Sequence, residues 1–319
     1  MRVWRTFDEV PADLGRTAVV IGNFDGVHRG HRLVIGRARE LADAQGLRLV
    51  AVTFDPHPMA VLRPEHAPSM LTDVATRCAL LGDVGVDDVL VLPFSREIAG
   101  WSPEDFVTRV LVDRLHAAVV VVGANFRFGA KAAGDVATLV EQGRLHDFVV
   151  DGVALEGGPQ VWSSTYVRTC LAAGDVEGAA EALGRPFSVR GEVVRGDQRG
   201  RDLGFPTANV LADRASVPAD GVYAGWLRRL PTTGSGQPTS DEEPLPAAIS
   251  VGTNPTFAGE RQRRVEAYVL DRDDLELYGV PVEISFVARI RGMVAFEGVD
   301  RLVETMHQDV VRVREILSR

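Results

Sequence analysis

The hydrophobic period changes partway along this 319-residue chain. Up to Leu183, apolar stretches such as Ala18–Ile21 and Ala118–Val122 are short and continuous, with helix-like patterns between them. From Phe187 on, apolar and polar residues alternate. A continuous apolar run suits a strand buried on both faces, whereas alternation suits a strand with one face against a core. A single sheet cannot serve both patterns. The chain therefore divides into two different folds in tandem, residues 1–184 and 185–319, and its length fits two domains.

The first half reads as strands separated by helices. Ala18–Ile21 and Leu47–Phe54 flank a helix over Gly30–Gln45, with Leu33, Val34, Ala38, Leu41 and Ala42 at helical spacing and Gly46 as C-cap. After the break at Asp55-Pro56-His57-Pro58 the pattern predicts a helix over Thr72–Gly82, capped by Thr72 or Asp73, and a strand over Asp88–Leu92. Ser102 followed by Pro103 marks a helix start, expected to run to about His116. Strand Ala118–Val122, helix Asp135–Gln142 and strand Phe148–Leu155 follow. Such alternation predicts a parallel sheet covered on both faces, with ligands beyond the carboxyl ends of its strands. A short helix, Gly174–Leu183, and Gly184-Arg185-Pro186 close this half.

In the second half, Ser188–Val194, Val222–Leu230, Pro246–Val251, Arg264–Leu270 and Val282–Ile290 predict a small antiparallel sheet or barrel. Leu302, Met306, Val310, Val313 and Leu317 define the apolar stripe of a final helix, Val299–Leu317, packed on it. The insertion Pro231–Pro246, rich in Thr, Ser, Gly, Pro and acids, is expected to be a disordered loop.

A net charge of −9 argues against a nucleic-acid partner. Lys131 is the only lysine, so charged contacts to phosphate must come from arginine, histidine or Lys131. Cys78 and Cys170 form no metal-binding spacing and read as buried small hydrophobes. The N-terminus lacks a secretory apolar region and no 18-residue apolar run occurs, so a cytoplasmic protein without a membrane partner is expected.

Within this frame, Val19–Ile21 ends in Gly22-Asn23-Phe24-Asp25-Gly26-Val27-His28-Arg29-Gly30-His31. A strand, a glycine turn and a helix N-terminus make a cradle for an anion. His28 and His31, three apart, share one face of a helix that starts near them. A paired-histidine metal site competes, but no third ligand lies at suitable spacing. Ser163-Ser164-Thr165 opens another helix with Arg168 one turn in; hydroxyls there serve as caps, and Arg168 can reach the same anion.

Taken together with Thr53-Phe54-Asp55-Pro56-His57-Pro58, Asn125-Phe126-Arg127-Phe128-Gly129, Gly200–Asn209, Gly221-Val222-Tyr223 and Asn254-Pro255-Thr256-Phe257, these motifs, in this order, resemble the prokaryotic bifunctional riboflavin kinase/FAD synthetase family over nearly the whole chain. The resemblance implies a Rossmann-like nucleotidylyltransferase domain followed by a riboflavin kinase-like barrel. It implies two reactions: ATP-dependent phosphorylation of riboflavin to FMN, and adenylylation of FMN by ATP to FAD with release of pyrophosphate. Mg²⁺ is implied for both. Riboflavin, FMN, FAD and ATP are the expected small-molecule partners, and a homo-oligomer is compatible with the sequence.

Site roles follow motif by motif. The resemblance implies ATP contacts for adenylylation from Gly22, Phe24, Asp25, Gly26, His28, His31, Ser164, Thr165 and Arg168, with the histidines facing the phosphates. FMN contacts are implied for Asp55, Pro56, His57, Asn125, Phe126 and Arg127. In the kinase half it implies a nucleotide loop with Gly196, Gly200, Arg201, Gly204, Phe205 and Pro206, and a metal held by Thr207 and Asn209, oxygen donors two apart. Phosphorylating a neutral alcohol benefits from a general base. On spacing alone Glu266 is better explained as a solvent-facing residue; the resemblance reverses that order, because Glu266 matches the family's catalytic carboxylate. An enzyme with one live half, or a flavin-binding regulator, shares this fold, but both residue sets are intact. Two departures are Trp162, where an aliphatic or basic residue is expected, and the stretch Ala130–Gly134, poor in basic residues.

Overall fold

A computed structural model describes residues 1–154, 162–196, 203–211, 216–231, 243–255 and 261–318. The chain separates into two compact units, Met1–Ser164 and Thr165–Arg319.

The first unit is built on a six-stranded parallel sheet of β1 (Arg2–Trp4), β2 (Thr17–Ile21), β3 (Arg48–Asp55), β4 (Asp88–Pro93), β5 (Ala117–Gly123) and β6 (Val149–Val153), in the order β1-β4-β3-β2-β5-β6. Its apolar runs are explained by burial on both faces. Val19, Ile21, Val50 and Val52 enter one core, while Ala18, Val20, Leu49 and Ala51 enter the other. Helix Arg29–Gln45 covers the second core with Val34, Ile35, Ala38 and Ala42, and ends at Gly46, whose φ of 63° is left-handed. Asp73 caps helix Val74–Asp83 by accepting from Thr76 N.

Two expectations differ from the structure. The segment after Ser102 keeps its capping box with Asp105 but is α-helical only over Pro103–Phe106, then a π-helix over Val107–Val112. Asp113 N and Leu115 N reach back five residues to Thr108 O and Val110 O, so the segment ends before His116. The helix expected over Asp135–Gln142 runs on as Val136–His146, capped by Asp135.

The second unit is a closed antiparallel barrel, β10-β11-β8-β7-β12-β9, preceded by helices Ser164–Ala173 and Val176–Leu183 and followed by helix Val299–Leu317. Its strands are β7 (Phe187–Val194), β8 (Thr207–Leu211), β9 (Gly221–Arg229), β10 (Leu245–Pro255), β11 (Arg261–Val269) and β12 (Pro281–Gly292). Here β8 is a sixth strand beyond the five that alternation marks. Val313 of the last helix is buried against Ala224 and Leu270. Most of the insertion 231–246 lies outside the described residues.

Candidate active sites

In the first unit, the strand ends lead to one edge of the sheet. Beyond β2 the backbone is forced into unusual conformations: Phe24, Gly26 and Val27 have φ of 48°, 82° and 41°. A β-branched residue at positive φ is strained, and such strain gathers at ligand sites. Buried Asp25 fixes this turn. Its carboxylate accepts from Leu71 N at 3.0 Å, Thr72 N at 3.1 Å and the Thr72 hydroxyl at 3.3 Å. Gly26 N donates to the same hydroxyl, and Ser164 Oγ donates to Asp25 O at 2.9 Å.

Helix Arg29–Gln45 begins at this turn with His28 as its cap: Nδ1 accepts from His31 N at 3.3 Å. A neutral His28 therefore carries its proton on Nε2. The two imidazoles stack at 3.6 Å, and Phe24 meets His31 edge-on. His31 is half-buried, but its Nδ1 is enclosed and has no hydrogen-bond partner among the described residues. Burial lowers its pKa well below that of an ordinary histidine, and His28 and Arg77 add repulsion. His31 is thus neutral near pH 7 and able to donate without being charged. Gly30 has to be glycine: a Cβ there would lie 2.9 Å from Trp162 O and 3.1 Å from the His28 ring. The departure at Trp162 is accommodated by the Arg29 guanidinium, 5.8 Å from its ring. Of the backbone donors, Gly22 N bonds Val52 O and Val27 N bonds Phe24 O. The N–H groups of the helix's first turn, Arg29 and Gly30, are the ones a helix leaves without internal partners and could offer to an anion.

The other strand ends supply the remaining motifs. His57 lies 3.2 Å from the Asn23 amide, joining the Asp55–Pro58 turn to the glycine turn; Asp55 and Pro56 are exposed. Past β5, Asn125 is exposed, Phe126 stacks on Phe128, and Arg127 pairs with Asp135 at 3.0 Å. Thr165 and Arg168 belong to the second unit, on helix Ser164–Ala173, with Thr165 exposed and Arg168 half-buried. Sequence reasoning missed Arg77. It is 2% exposed, and its Nη1 donates to Thr53 Oγ1 at 3.2 Å and Phe54 O at 3.1 Å. Nothing in the pattern of its helix sets it apart.

In the second unit, the antiparallel register builds the site. Glu266 of β11 lies opposite Asn209 of β8, and Tyr268 lies opposite Thr207. Paired residues share a face, so these four side chains are together on the barrel's outer surface, while Ala208, Val210, Val265 and Ala267 point inward. Two cavities meet there. One, of 410 Å³, is lined by Gly196, Gly204, Pro206, Thr207, Asn209, Arg272 and Tyr278. The other, of 190 Å³, is mostly apolar and lies under the last helix; Phe205, Thr207, Glu266, Tyr268, Phe296 and Met306 line it. A Cβ at Gly196 would overlap the Asn209 amide, so a side chain there would displace that amide. Phe205 packs edge-on against Tyr268 and His307. Gly200 and Arg201 lie outside the described residues. Arg291 and Asp309, also missed, close the apolar cavity with a near-buried ion pair at 2.7–3.1 Å. They are 18 positions apart, on a strand and a helix, with no shared pattern. The oxygen donors of Thr207 and Asn209 would suit a hard divalent cation.

A nucleotide-sized cavity beside an apolar one, with oxygen donors and a carboxylate between them, suits a phosphotransferase, and the strand–turn–helix with two histidines suits a second transferase acting on a phosphorylated substrate. The FAD synthetase family model matches residues 10–165 and the riboflavin kinase model matches residues 183–317. The chain is 36% identical to the bifunctional riboflavin kinase/FMN adenylyltransferase of Escherichia coli (strain K12), over 94% of this chain and 92% of that protein. It is 33% identical to the protein of the same name from Listeria monocytogenes, over 94% and 92%. A crystal structure described as a macrolide-efflux protein from Streptococcus pneumoniae matches with a TM-score of 0.84 and 30% identity, covering 98% of each chain. Among the described residues of the present chain, no helix is long and apolar enough to cross a membrane. The chain belongs to the bifunctional riboflavin kinase/FMN adenylyltransferase family.

Proposed function

We infer that this chain phosphorylates riboflavin with ATP to give FMN and then transfers AMP from ATP to FMN, giving FAD and pyrophosphate. The observation that carries the kinase assignment is the ladder pair Glu266–Asn209, set where Thr207 lines both cavities. The apolar cavity takes the flavin and the other takes ATP. Glu266 accepts the proton of the ribityl 5′-hydroxyl as its oxygen bonds to the γ-phosphorus; the bond to the β-phosphate oxygen breaks and ADP leaves. Thr207 and Asn209 hold Mg²⁺, which when bound neutralises charge on the ATP phosphates. Gly196 and Gly204, with Gly200, Arg201, Phe205 and Pro206, form the nucleotide loop.

Adenylylation demands less of a base. The FMN phosphate is largely dianionic near pH 7, its second pKa being about 6. Its oxygen attacks the α-phosphorus of ATP and pyrophosphate leaves. Neutral His31, His28 and the first-turn N–H groups donate to the phosphates, with Ser164 beside them. Asp25 keeps the turn shaped through Leu71 and Thr72. Asp55–His57 and Asn125–Arg127 hold FMN. We assign residues 1–184 to adenylylation and 185–319 to the kinase. Two buried free thiols, Cys78 and Cys170, support a reducing cytoplasm.

Chromatography of the products from riboflavin, ATP and Mg²⁺ tests this reading. FMN forms first and FAD follows. Accumulation of FMN without FAD at saturating ATP would sink the adenylyltransferase assignment, and absence of FMN would sink the kinase.

A further inference from the structure

The glycine turn rests on a buried cation with no close counter-charge. Arg77 reaches it from helix Val74–Asp83 and is 2% exposed. Its Nη1 donates to Thr53 Oγ1, and the Thr53 hydroxyl donates to Asn23 O at 3.0 Å, so two hydrogen bonds link the guanidinium to the turn's own backbone. No carboxylate among the described residues is within ion-pair distance, and its Nε is enclosed without a partner. Asp25 and Asp55 favour the charged form at longer range, but burial outweighs them and the pKa falls below that of an ordinary arginine. Asp25 is itself held by three donors.

A buried guanidinium normally has a carboxylate beside it, because an uncompensated charge is costly to bury. The turn that Arg77 supports is the one read as the ATP site, and the nucleotide brings anionic groups to it. We propose that Arg77 is a positioning residue for adenylyl transfer, its charge completed by the triphosphate of ATP across the turn and its fork fixing the Asn23 carbonyl through Thr53. This rests on the reading of the glycine turn as the ATP site. It also gives Arg77 a reason to be an arginine: it has no surface role, and a simple clamp on Thr53 and Phe54 needs no charge.

The test compares Arg77→Gln, which keeps a donor but no charge, with Arg77→Lys, which keeps the charge. With Gln, the KM for ATP in FAD formation rises on the order of tenfold, while the KM for FMN and the ATP KM of riboflavin phosphorylation stay within about twofold. With Lys, the ATP KM stays within about threefold of wild type. A merely structural role predicts lower melting temperature and lower active fraction with unchanged KM. An unchanged ATP KM in the Gln chain, or a Lys chain as impaired as the Gln chain, overturns the proposal. If the Gln chain does not fold, Arg77→Met carries the comparison, and a tenfold rise with Lys alone is sufficient to reject it. His28→Ala in the same assay separates the two readings. Intact FAD formation there removes the ATP site from this turn; its loss, with wild-type KM in Arg77→Gln, rejects only the role of Arg77.

Discussion

Glu266 alternates with Val265, Ala267 and Val269, all buried within the barrel, and so faces out toward Thr207 and Asn209. If it serves as the base, Glu266→Gln abolishes FMN formation from riboflavin but leaves conversion of added FMN to FAD intact, as product analysis will read. His31 makes a different prediction, on pH. Its pKa is lower in the folded chain than the ordinary value of about 6.5. Below that pH the unfolded chain binds more protons than the folded one, so stability is full above about pH 6.5 and declines as pH falls toward the folded value. The melting temperature of the first unit should therefore drop on acidification below about pH 6.5, and His31→Asn should flatten that limb. His31 is marked by its spacing from His28, and Glu266 by the motif resemblance rather than by spacing. Arg77 is not marked, and Asp25 is marked only as part of the glycine turn, because the contacts that place them lie 24 and 46 positions away along the chain.

At the scale of elements, legibility followed how local the cause is. β2, β3 and β5 are readable because each is a continuous apolar run, and helix Arg29–Gln45 because its stripe and its cap at Gly46 lie within it. β8 is hardly readable: Thr207-Ala208-Asn209 looks like a turn until β7 and β11 pair with it on either side. Three-residue β1 is a strand only because β4 is beside it. The π-helix at Val107–Val112 leaves no mark, since its residues suit an α-helix equally well. Packing gives two stability predictions. Ile35, wholly buried, should lose about 2–5 kcal/mol on Ile35→Ala, measured by denaturant unfolding. Removing one partner of the Arg291–Asp309 pair, as in Asp309→Ala, strands a largely buried guanidinium and should cost about 3 kcal/mol. Because the pair closes the apolar cavity, the same change should raise the KM for riboflavin more than that for ATP.

For the whole molecule, two folds with two hydrophobic periods carry two chemistries in sequence: the product of one is the nucleophile of the other. A chain carrying Glu266→Gln and a chain carrying His28→Ala should each fail to convert riboflavin to FAD. Mixed, they should succeed through FMN released into solution. FMN accumulation in the mixture would show that the Glu266→Gln chain cannot take it up. Within the kinase unit, the shared position of Thr207 has a thermodynamic consequence. Because it lines both cavities, whichever substrate binds first builds part of the wall the second will meet. If the two cavities take flavin and nucleotide as proposed, the two binding steps should be heterotropically linked, and the linkage is then reciprocal: the factor by which ADP changes riboflavin affinity must equal the factor by which riboflavin changes ADP affinity.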